Sequence, residues 1–344
     1  MTRTKLRGVD VHVHLTPPDL LARGDDAPNW QPTIEYDGDG AQRLVTLGGR
    51  PMRSIIGELS RIEIVLADAQ ARQIGGLVVS PWVSTLPLGL DRSAAMDVCR
   101  VQNAALAAAS AQAPGEVLAF GAVPMQDPAA AADVLGEAMA LGLVGVEVTP
   151  SAANRWLGAR ELDPFYAAAA ELGAVIFVHP ATHGLGIDVF EEYYLWNAVA
   201  NPVETAIAAA HLCMAGVLER YPTLQVLLAH GGGVLPAIVG RLERAHQMRP
   251  EARSSSSEGP RAAFNKLHFD TVTHDLAQLR SLVAAVGANH VLLGSDYPFD
   301  MGSDDPVAEV EALGLSPAEQ RLILSDNARA MFAGPLHTGH PSLD

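Results

Sequence analysis

Short apolar runs recur along the chain and alternate with longer Ala-rich segments. The first run, Val9–Val13, places valines at every second position, which is the spacing of side chains on one face of a β-strand. Seven later runs are almost continuously apolar or β-branched, as in strands that are buried on both faces. They lie at Gly76–Ser80, Val117–Val123, Val144–Val148, Ala174–Val178, Gln225–Ala229, Leu267–Thr271 and His290–Gly294. The pattern therefore predicts eight strands.

The segments between these runs carry helix signals. Asp127 before Pro128 forms an N-cap with proline at the first helical position, and Gly173 is a C-terminal glycine. Ser316 and Glu319 have the spacing of a capping box before the last helix. Eight strand–helix units predict an α/β fold, a (β/α)8 barrel of the TIM type. A doubly wound sheet is the alternative, but no strand is followed by Gly-x-Gly-x-x-Gly.

A long segment rich in Pro, Gly and Asp is inserted after the first strand, at residues 15–54, before a helix-like segment at 55–74. A hairpin is predicted around Asp37–Gly40, and the rest of the insertion is predicted to be irregular. Loops of this length in compact chains are usually functional or disordered, and we expect this one to border the substrate site. Residues 1–344 are then expected to form a single barrel domain.

Composition narrows the possible functions. The 344 residues are 49% hydrophobic and 18% charged, with a formal net charge of -16. This charge argues against nucleic acid, which needs clustered Lys and Arg, but allows a small anionic substrate held by a few arginines. No apolar run is long enough to cross a bilayer, and no signal peptide precedes the first strand, so no membrane partner is expected. Two cysteines without metal or disulfide spacing predict a reducing compartment, the cytoplasm.

A barrel predicts where the chemistry lies, because catalytic groups follow the carboxyl ends of its strands. His12 and His14 end the first strand, His179 follows the fifth, His230 the sixth and Asp296 the eighth. His12 and His14 are two residues apart and should project side by side. A single histidine is more often a core or surface residue, and Asp296 alone could cap a helix. Together, the five residues predict a metal site.

Three neutral histidines and one carboxylate suit Zn²⁺ and leave a coordination position for water or substrate. We assign His12, His14, His179 and Asp296 to one divalent metal, with zinc preferred and manganese as the alternative. His230 precedes three glycines, which allow close approach of backbone or substrate. We therefore assign His230 to proton transfer beside the metal, together with Asp296.

Four motifs, taken as a set, resemble the amidohydrolase superfamily. They are Asp10-x-His12-x-His14, Val178-His179-Pro180, Ala229-His230-Gly231-Gly232-Gly233 and Gly294-Ser295-Asp296-Tyr297-Pro298-Phe299. Specifically, they resemble the branch that contains α-amino-β-carboxymuconate-ε-semialdehyde decarboxylase and related aromatic acid decarboxylases. The resemblance covers nearly the whole chain. It implies one divalent metal, usually zinc, and non-oxidative release of CO₂ without a pyridoxal or thiamine cofactor.

In that family two arginines grip the substrate carboxylate, and one of them comes from the neighbouring subunit. Val239-Gly240-Arg241 matches the sequence around the latter, so the resemblance implies that Arg241 acts across a homodimer. Arg53 in the insertion is the candidate for the other arginine, with Arg50 as the competitor; any of them could equally be a solvated surface residue. The resemblance also implies that Trp196 and Phe299 bind the substrate, with core packing equally plausible for Trp196.

The chain departs from the decarboxylase pattern after Pro180, where the family typically has Trp-Asp and this chain has Ala181-Thr182-His183. The change alters a pocket wall and leaves the identity of the acid open. We predict a metal-dependent decarboxylase of a small aromatic or unsaturated carboxylic acid. The alternatives are a hydrolase or hydratase acting on a C–N, C–O or C–C bond at the same site, a non-catalytic ligand-binding barrel, and a structural oligomer component.

Overall fold

Each apolar run of the sequence forms a strand close to its expected position. The computed structural model describes residues 7–16, 33–36, 42–47, 50–52, 57–181 and 185–332. Eight parallel strands, β1 to β8, form its centre, and β3 consists of two short pieces. In chain order they are Gly8–His14, Ile74–Ser80, Val117–Ala119 with Gly121–Ala122, Gly145–Val148, Val175–Val178, Gln225–Leu228, His268–Asp270 and Val291–Leu292.

These strands pair in chain order, every pair is parallel, and the sheet then closes on itself. The N–H of Val11 donates to the Leu293 carbonyl at 2.9 Å, and the N–H of His14 donates to the Tyr297 carbonyl at 2.8 Å. The N–H of Asp296 donates to the carbonyl of His12 at 2.8 Å. Because a doubly wound sheet has two free edges, this closure confirms the barrel.

Helices connect the strands. In the part of the chain that the structure describes, they are Ile62–Ala71 (α1), Arg92–Gln112 (α2), Pro128–Ala140 (α3), Asp163–Leu172 (α4), Asn201–Met214 (α5), Val217–Arg220 (α6), Leu235–Met248 (α7), Pro260–Phe264 (α8), Leu276–Val286 (α9), Pro306–Glu311 (α10), Pro317–Arg321 (α11) and Asn327–Met331 (α12). None of these helices combines the length and apolarity that a membrane span requires.

The helix ends follow the signals in the sequence. Asp127 Oδ1 accepts the N–H of Ala130 at 3.0 Å at the start of α3, and Gly173 ends α4 in the left-handed region at φ 65°. Ser316 and Glu319 form the reciprocal capping box of α11. All three predictions are confirmed, because each cap is determined by residues that are close in sequence.

The insertion between β1 and α1 contains more regular structure than its composition predicts. Three short strands, Thr33–Tyr36, Gln42–Leu47 and Arg50–Met52, form an antiparallel sheet. The hairpin is confirmed, since its strands flank Asp37–Gly40, which itself lies outside the described residues. The prediction that the rest of the insertion is irregular is wrong for these strands. They are short and only half apolar, so their pairing is invisible without the partner strand.

Aromatic side chains fill the barrel beneath the ends of its strands. Phe177 of β5 stacks on Phe120, with 5.4 Å between ring centroids, and Phe120 contacts Phe332 at 5.8 Å. The ring of His12 lies 5.0 Å from that of Phe177. The polar groups at the strand ends therefore rest on an apolar interior, where electrostatic interactions are stronger than in water.

Candidate metal centre

The five side chains predicted at the strand ends converge on one point. The Nε2 atoms of His12 and His14 lie 3.1 Å apart, so these two residues project side by side as expected. Asp296 Oδ1 lies 3.1 Å from Nε2 of His14 and 3.3 Å from Nε2 of His12. Single donor atoms of His12, His179, His230 and Asp296 all lie within 4.8 Å of one another. Such spacing suits one shared cation.

Local backbone irregularities aim these side chains. β1 carries one more residue than β2 between Asp10 and Val13, which is a bulge at the position of His12. His230 and Asp296 have φ angles of 55° and 61°, in the left-handed region that non-glycine residues rarely adopt. Bulges and strained residues of this kind concentrate at functional sites, where they redirect a side chain.

The glycines after His230 have steric reasons to be glycine. Gly231 continues the left-handed turn at φ 59°. At Gly233, a Cβ atom would lie only 1.9 Å from the backbone carbonyl oxygen of Pro202, at the start of α5. The three-glycine motif therefore turns the chain sharply after β6 and packs it directly against α5, which leaves the His230 side chain at the edge of the barrel.

Three of the four histidines are oriented through their second ring nitrogen. His12 Nδ1 donates to Asp270 Oδ2 at 2.6 Å, His14 Nδ1 to the Pro81 carbonyl at 2.9 Å, and His179 Nδ1 to the Pro180 carbonyl at 2.9 Å. Each Nε2 is thereby left as the free ligand atom, which is the usual arrangement of metal-binding histidines. Nε2 of His179 is buried and has no hydrogen-bond partner among the described residues. The residues therefore fit a divalent metal ion.

The electrostatics of the cluster agree with that fit. Burial alone would raise the pKa of Asp296, but the close rings of His12, His14 and His230 hold it well below its usual range. Burial, reinforced by His14 and His12, lowers the pKa of His179 well below its usual value, so its ring is neutral and keeps a lone pair. Burial opposes protonation of His12, yet the two carboxylates Asp296 and Asp270 raise its pKa to about 10. These carboxylates attract positive charge to this point.

His230 differs from the other three histidines. Its Nδ1 is buried without a hydrogen-bond partner among the described residues, and its Nε2 lies 3.3 Å from Asp296 Oδ2. Its side chain is 14% exposed, whereas those of His12 and His14 are fully buried. His230 is therefore the histidine of the cluster that a substrate can reach from solvent.

Asp270 at the end of β7 belongs to the site but was not identified from the sequence. Its side chain is fully buried, and besides His12 it accepts the backbone N–H groups of His230 at 3.0 Å, Gly231 at 2.8 Å and Val272 at 3.1 Å. No local motif marks it, since all of its partners except Val272 come from β1 and from the turn after β6. The available signal was its position, a carboxylate at the end of a barrel strand.

Two more buried carboxylates lie next to the cluster. Asp10 accepts the N–H and the Oγ–H of Ser295 at 3.1 and 2.5 Å and the N–H of His12 at 3.1 Å. Burial raises its pKa to about 6. Glu147, at the end of β4, lies 3.9 Å from His14 Nδ1, and burial raises its pKa to about 7. Asp10 thus links β1 to the segment that follows β8, and Glu147 borders the ring of His14.

A cavity of about 410 Å³ opens onto the cluster. His230 and Asp296 form its inner end. The walls come from the starts of α5, α7 and α9 and are mostly apolar, with a few amide, hydroxyl and imidazole groups. Small-molecule sites have volumes of roughly 300–1,000 Å³ and this mixed lining, so the cavity suits one small organic ligand.

The structure distributes the predicted substrate-binding residues differently. Phe299 contacts the ring of His14, with 5.0 Å between centroids, and therefore borders the cluster. Trp196 packs on Tyr194 and lines a separate cavity of about 30 Å³. Arg241 is exposed on α7 and does not line the larger cavity. Arg53 lies outside the described residues, as do Thr182 and His183.

Comparison with known proteins gives one consistent result. The sequence profile of the family described as Amidohydrolase matches residues 9–334. A 2-amino-3-carboxymuconate-6-semialdehyde decarboxylase of Dictyostelium discoideum is 31% identical over 68% of this chain; the match spans 66% of that relative, just under two thirds of its length. A gamma-resorcylate decarboxylase of a Rhizobium species is 27% identical; the match covers 74% of this chain and 80% of that relative.

Solved structures show the same fold. The dihydroxybenzoic acid decarboxylase of a Polaromonas species, solved with bound manganese and the inhibitor 2-nitroresorcinol, superposes with a TM-score of 0.78. It is 21% identical, and the match covers 95% of this chain and 97% of that one. At this identity the likeness concerns the barrel fold alone.

Proposed function

The chain belongs to the amidohydrolase family, and we propose that it is a metal-dependent, non-oxidative decarboxylase of a small aromatic or unsaturated carboxylic acid. The observation that carries the proposal is the buried cluster at the strand ends, in which three histidine Nε2 atoms and Asp296 face one point beside a ligand-sized cavity. The named decarboxylases among its relatives support this choice of reaction over hydrolysis.

The proposed metal ligands are His12, His14, His179 and Asp296. Each of these histidines has its Nδ1 proton engaged, which orients Nε2 as a ligand, whereas His230 lacks such an anchor among the described residues. We prefer zinc for this donor set, with manganese as the alternative. When bound, the ion supplies a Lewis acid that orients and polarises the acid.

His230 and Asp296 are the proposed proton-handling residues. His230 lies at the inner end of the cavity, and Asp296 Oδ2 at 3.3 Å from its Nε2 can stabilise the imidazolium form. In the proposed step, the carbon that bears the carboxylate gains a proton. The C–C bond then breaks, its electron pair returns to the unsaturated system, and CO₂ leaves. The overall balance is one carboxylate plus one proton giving one C–H bond and one CO₂.

Phe299, Trp196, Arg53 and Arg241 are the proposed substrate-binding residues. Phe299 is supported directly by its contact with His14. Trp196 lies next to Asn197, which lines the larger cavity. The arginines would grip carboxylate groups through two parallel N–H···O bonds, which a lysine cannot reproduce.

We further propose a homodimer in which Arg241 reaches the site of the other subunit. Arg241 is exposed and has no ion pair with any residue that the structure describes, although Ala237, one turn earlier on α7, lines the cavity. The segment 187–199, which leads into the cavity wall, exposes Val189 by 69% and Tyr193 by 85%. Exposed apolar groups concentrated in this way are typical of an interface.

A cytoplasmic location is proposed as well, supported by two buried free cysteines.

Metal analysis coupled to CO₂ release tests the decarboxylase. The protein is stripped with a chelator, reloaded with zinc or manganese, and incubated with 2,6-dihydroxybenzoate and with an aminocarboxymuconate semialdehyde. We expect CO₂ release that disappears on stripping and returns with metal. Turnover of an amide, an ester or an oxo-acid without CO₂ would instead identify a hydrolase or hydratase. Absence of bound metal together with no effect of the chelator would identify a non-catalytic barrel.

A further inference from the structure

Asp270 is the carboxylate with the most internal hydrogen bonds at the site. Its Oδ2 accepts the ring Nδ1–H of His12 at 2.6 Å and the backbone N–H of His230 at 3.0 Å. Its Oδ1 accepts the backbone N–H groups of Gly231 and Val272 at 2.8 and 3.1 Å. The side chain is fully buried, and no Lys or Arg among the described residues pairs with it. All four donors are thus aimed at one buried anion.

We propose that Asp270 is a positioning residue that holds His12 in the metal-binding tautomer and, through the same carboxylate, fixes the backbone turn that carries His230. The inference rests on the proposed metal site and deepens it. A carboxylate in this position can only accept, so Nδ1 of His12 must carry a proton, and in the neutral ring that binds a metal it is Nε2 that presents the lone pair. Nε2 is the atom that faces His14 and Asp296.

The second part of the inference concerns the strained turn after β6. His230 and Gly231 have φ angles of 55° and 59°, and two successive N–H groups of this turn point at the Asp270 carboxylate. A left-handed non-glycine residue persists only where its surroundings stabilise it. Asp270 supplies that stabilisation, and it therefore sets the position of the proposed proton carrier relative to the proposed metal ligand His12.

Replacement of Asp270 by Asn tests the tautomer. Because Gly231 and Val272 still require an acceptor at Oδ1, the amide NH₂ group must take the place of Oδ2. It then donates towards Nδ1 of His12, which has to accept, and the ring proton moves to Nε2. We expect Asp270→Asn to weaken metal binding by about 10–100-fold, measured for zinc by competition with a chromogenic chelator, and to lower kcat more than it raises KM.

Asp10→Asn is the matched control. Asp10 is as deeply buried as Asp270 and accepts three hydrogen bonds, but it contacts no histidine ring nitrogen. The Ser295 hydroxyl can also rotate and accept from the new amide. We expect this variant to share any general loss of thermal stability while keeping the zinc affinity of the native protein. Equal zinc affinity in both variants and in the native protein would overturn the proposal.

A measurement on the unaltered protein covers the case in which Asp270→Asn does not fold. Long-range ¹H–¹⁵N spectra of the zinc-loaded protein, with ¹⁵N in its histidines, distinguish the protonated ring nitrogen from the metal-bound one. For His12 we expect a protonated Nδ1 and a metal-bound Nε2. The opposite tautomer, with the proton on Nε2, would overturn the inference. Neither zinc affinity nor tautomer depends on CO₂ release. If the decarboxylase proposal fails, the proposed role of Asp270 is unaffected. If the proposed role of Asp270 fails, the decarboxylase proposal is likewise unaffected.

Discussion

The second ring nitrogen separates the histidines of the cluster into two kinds. In His12, His14 and His179, Nδ1 donates to a carboxylate or a backbone carbonyl, which fixes both tautomer and ring orientation. In His230, Nδ1 lacks such a partner among the described residues. Fixed rings suit metal ligands, whereas a ring that gains and loses a proton must accommodate both forms. The division of roles thus follows from contacts outside the cluster.

Replacing His230 by Gln should separate chemistry from metal binding. Removal of a positioned acid–base group typically lowers the rate by 10²–10⁴-fold, so we expect a loss of kcat in that range with metal content unchanged. The comparison variant, His179→Gln, should lose metal and activity together, because the neutral amide is a poor replacement for imidazole nitrogen. Elemental analysis and CO₂ release on the same samples provide the two readouts. Metal loss in His230→Gln would make His230 a ligand.

Most of the cluster was predictable because its five residues mark the ends of four strands. His12 and His14 lie at the end of the first strand, and His179, His230 and Asp296 follow later apolar runs. A barrel brings such strand ends together. Asp270 was not predicted, because its significance lies in His12, 258 positions away in the chain. The substrate-binding side chains were harder still, since an exposed residue such as Arg241 has no pattern that distinguishes function from surface.

At the scale of single strands, the boundaries follow side-chain hydrogen bonds as well as apolar runs. The sequence predicts Leu267–Thr271 and His290–Gly294, whereas β7 and β8 are only His268–Asp270 and Val291–Leu292. Past these ends, the Thr271 hydroxyl accepts the N–H of Gly294 at 3.0 Å and donates to its carbonyl at 3.1 Å. Such bonds replace the sheet ladder, and no periodic pattern in the sequence reveals them.

The opposite ends of β7 and β8 predict a pH-dependent stability. His268 lies 5.0 Å from His290 between ring centroids, and burial, reinforced by His290, lowers its pKa from 6.5 to about 4. Between pH 6.5 and 4, the ring of His268 is therefore protonated in the unfolded chain but not in the folded chain. The contribution of His268 to stability is complete above pH 6.5 and declines as the pH falls through this window, by about 3 kcal/mol in total.

The His268→Gln variant isolates this contribution. Urea unfolding of both proteins at pH 7 and at pH 4.5 gives the free energy of unfolding in each case. We expect the native protein to lose more stability than His268→Gln on acidification, whatever the difference between them at pH 7. Because each protein is compared with itself at the two pH values, any effect of the substitution on packing cancels. Identical acid sensitivity would mean that the ring of His268 titrates normally in the fold.

At the scale of the whole molecule, the barrel brings every proposed ligand to one edge, but the proposed arginine grip cannot be completed by the described residues of a single chain. The larger cavity is lined by neutral side chains together with His230, His274 and Asp296. The formal charge of -16 makes a local cation more important for attracting an acid. The proposed site shared between two subunits would draw on the exposed arginine of α7 and the partly apolar, exposed segment 187–199.

Subunit complementation decides whether the site is shared. Arg241→Ala and His14→Ala should each be nearly inactive, because one lacks the arginine grip and the other a metal ligand. In a mixed dimer, the subunit with intact His14 receives Arg241 from its partner, so co-expression of the two variants should restore about a quarter of native CO₂ release if subunits pair at random. The control pair, His14→Ala with His179→Ala, places both defects in the same kind of site and should restore nothing. If the first pair also stays inactive although it forms mixed dimers, Arg241 serves its own subunit or only the surface.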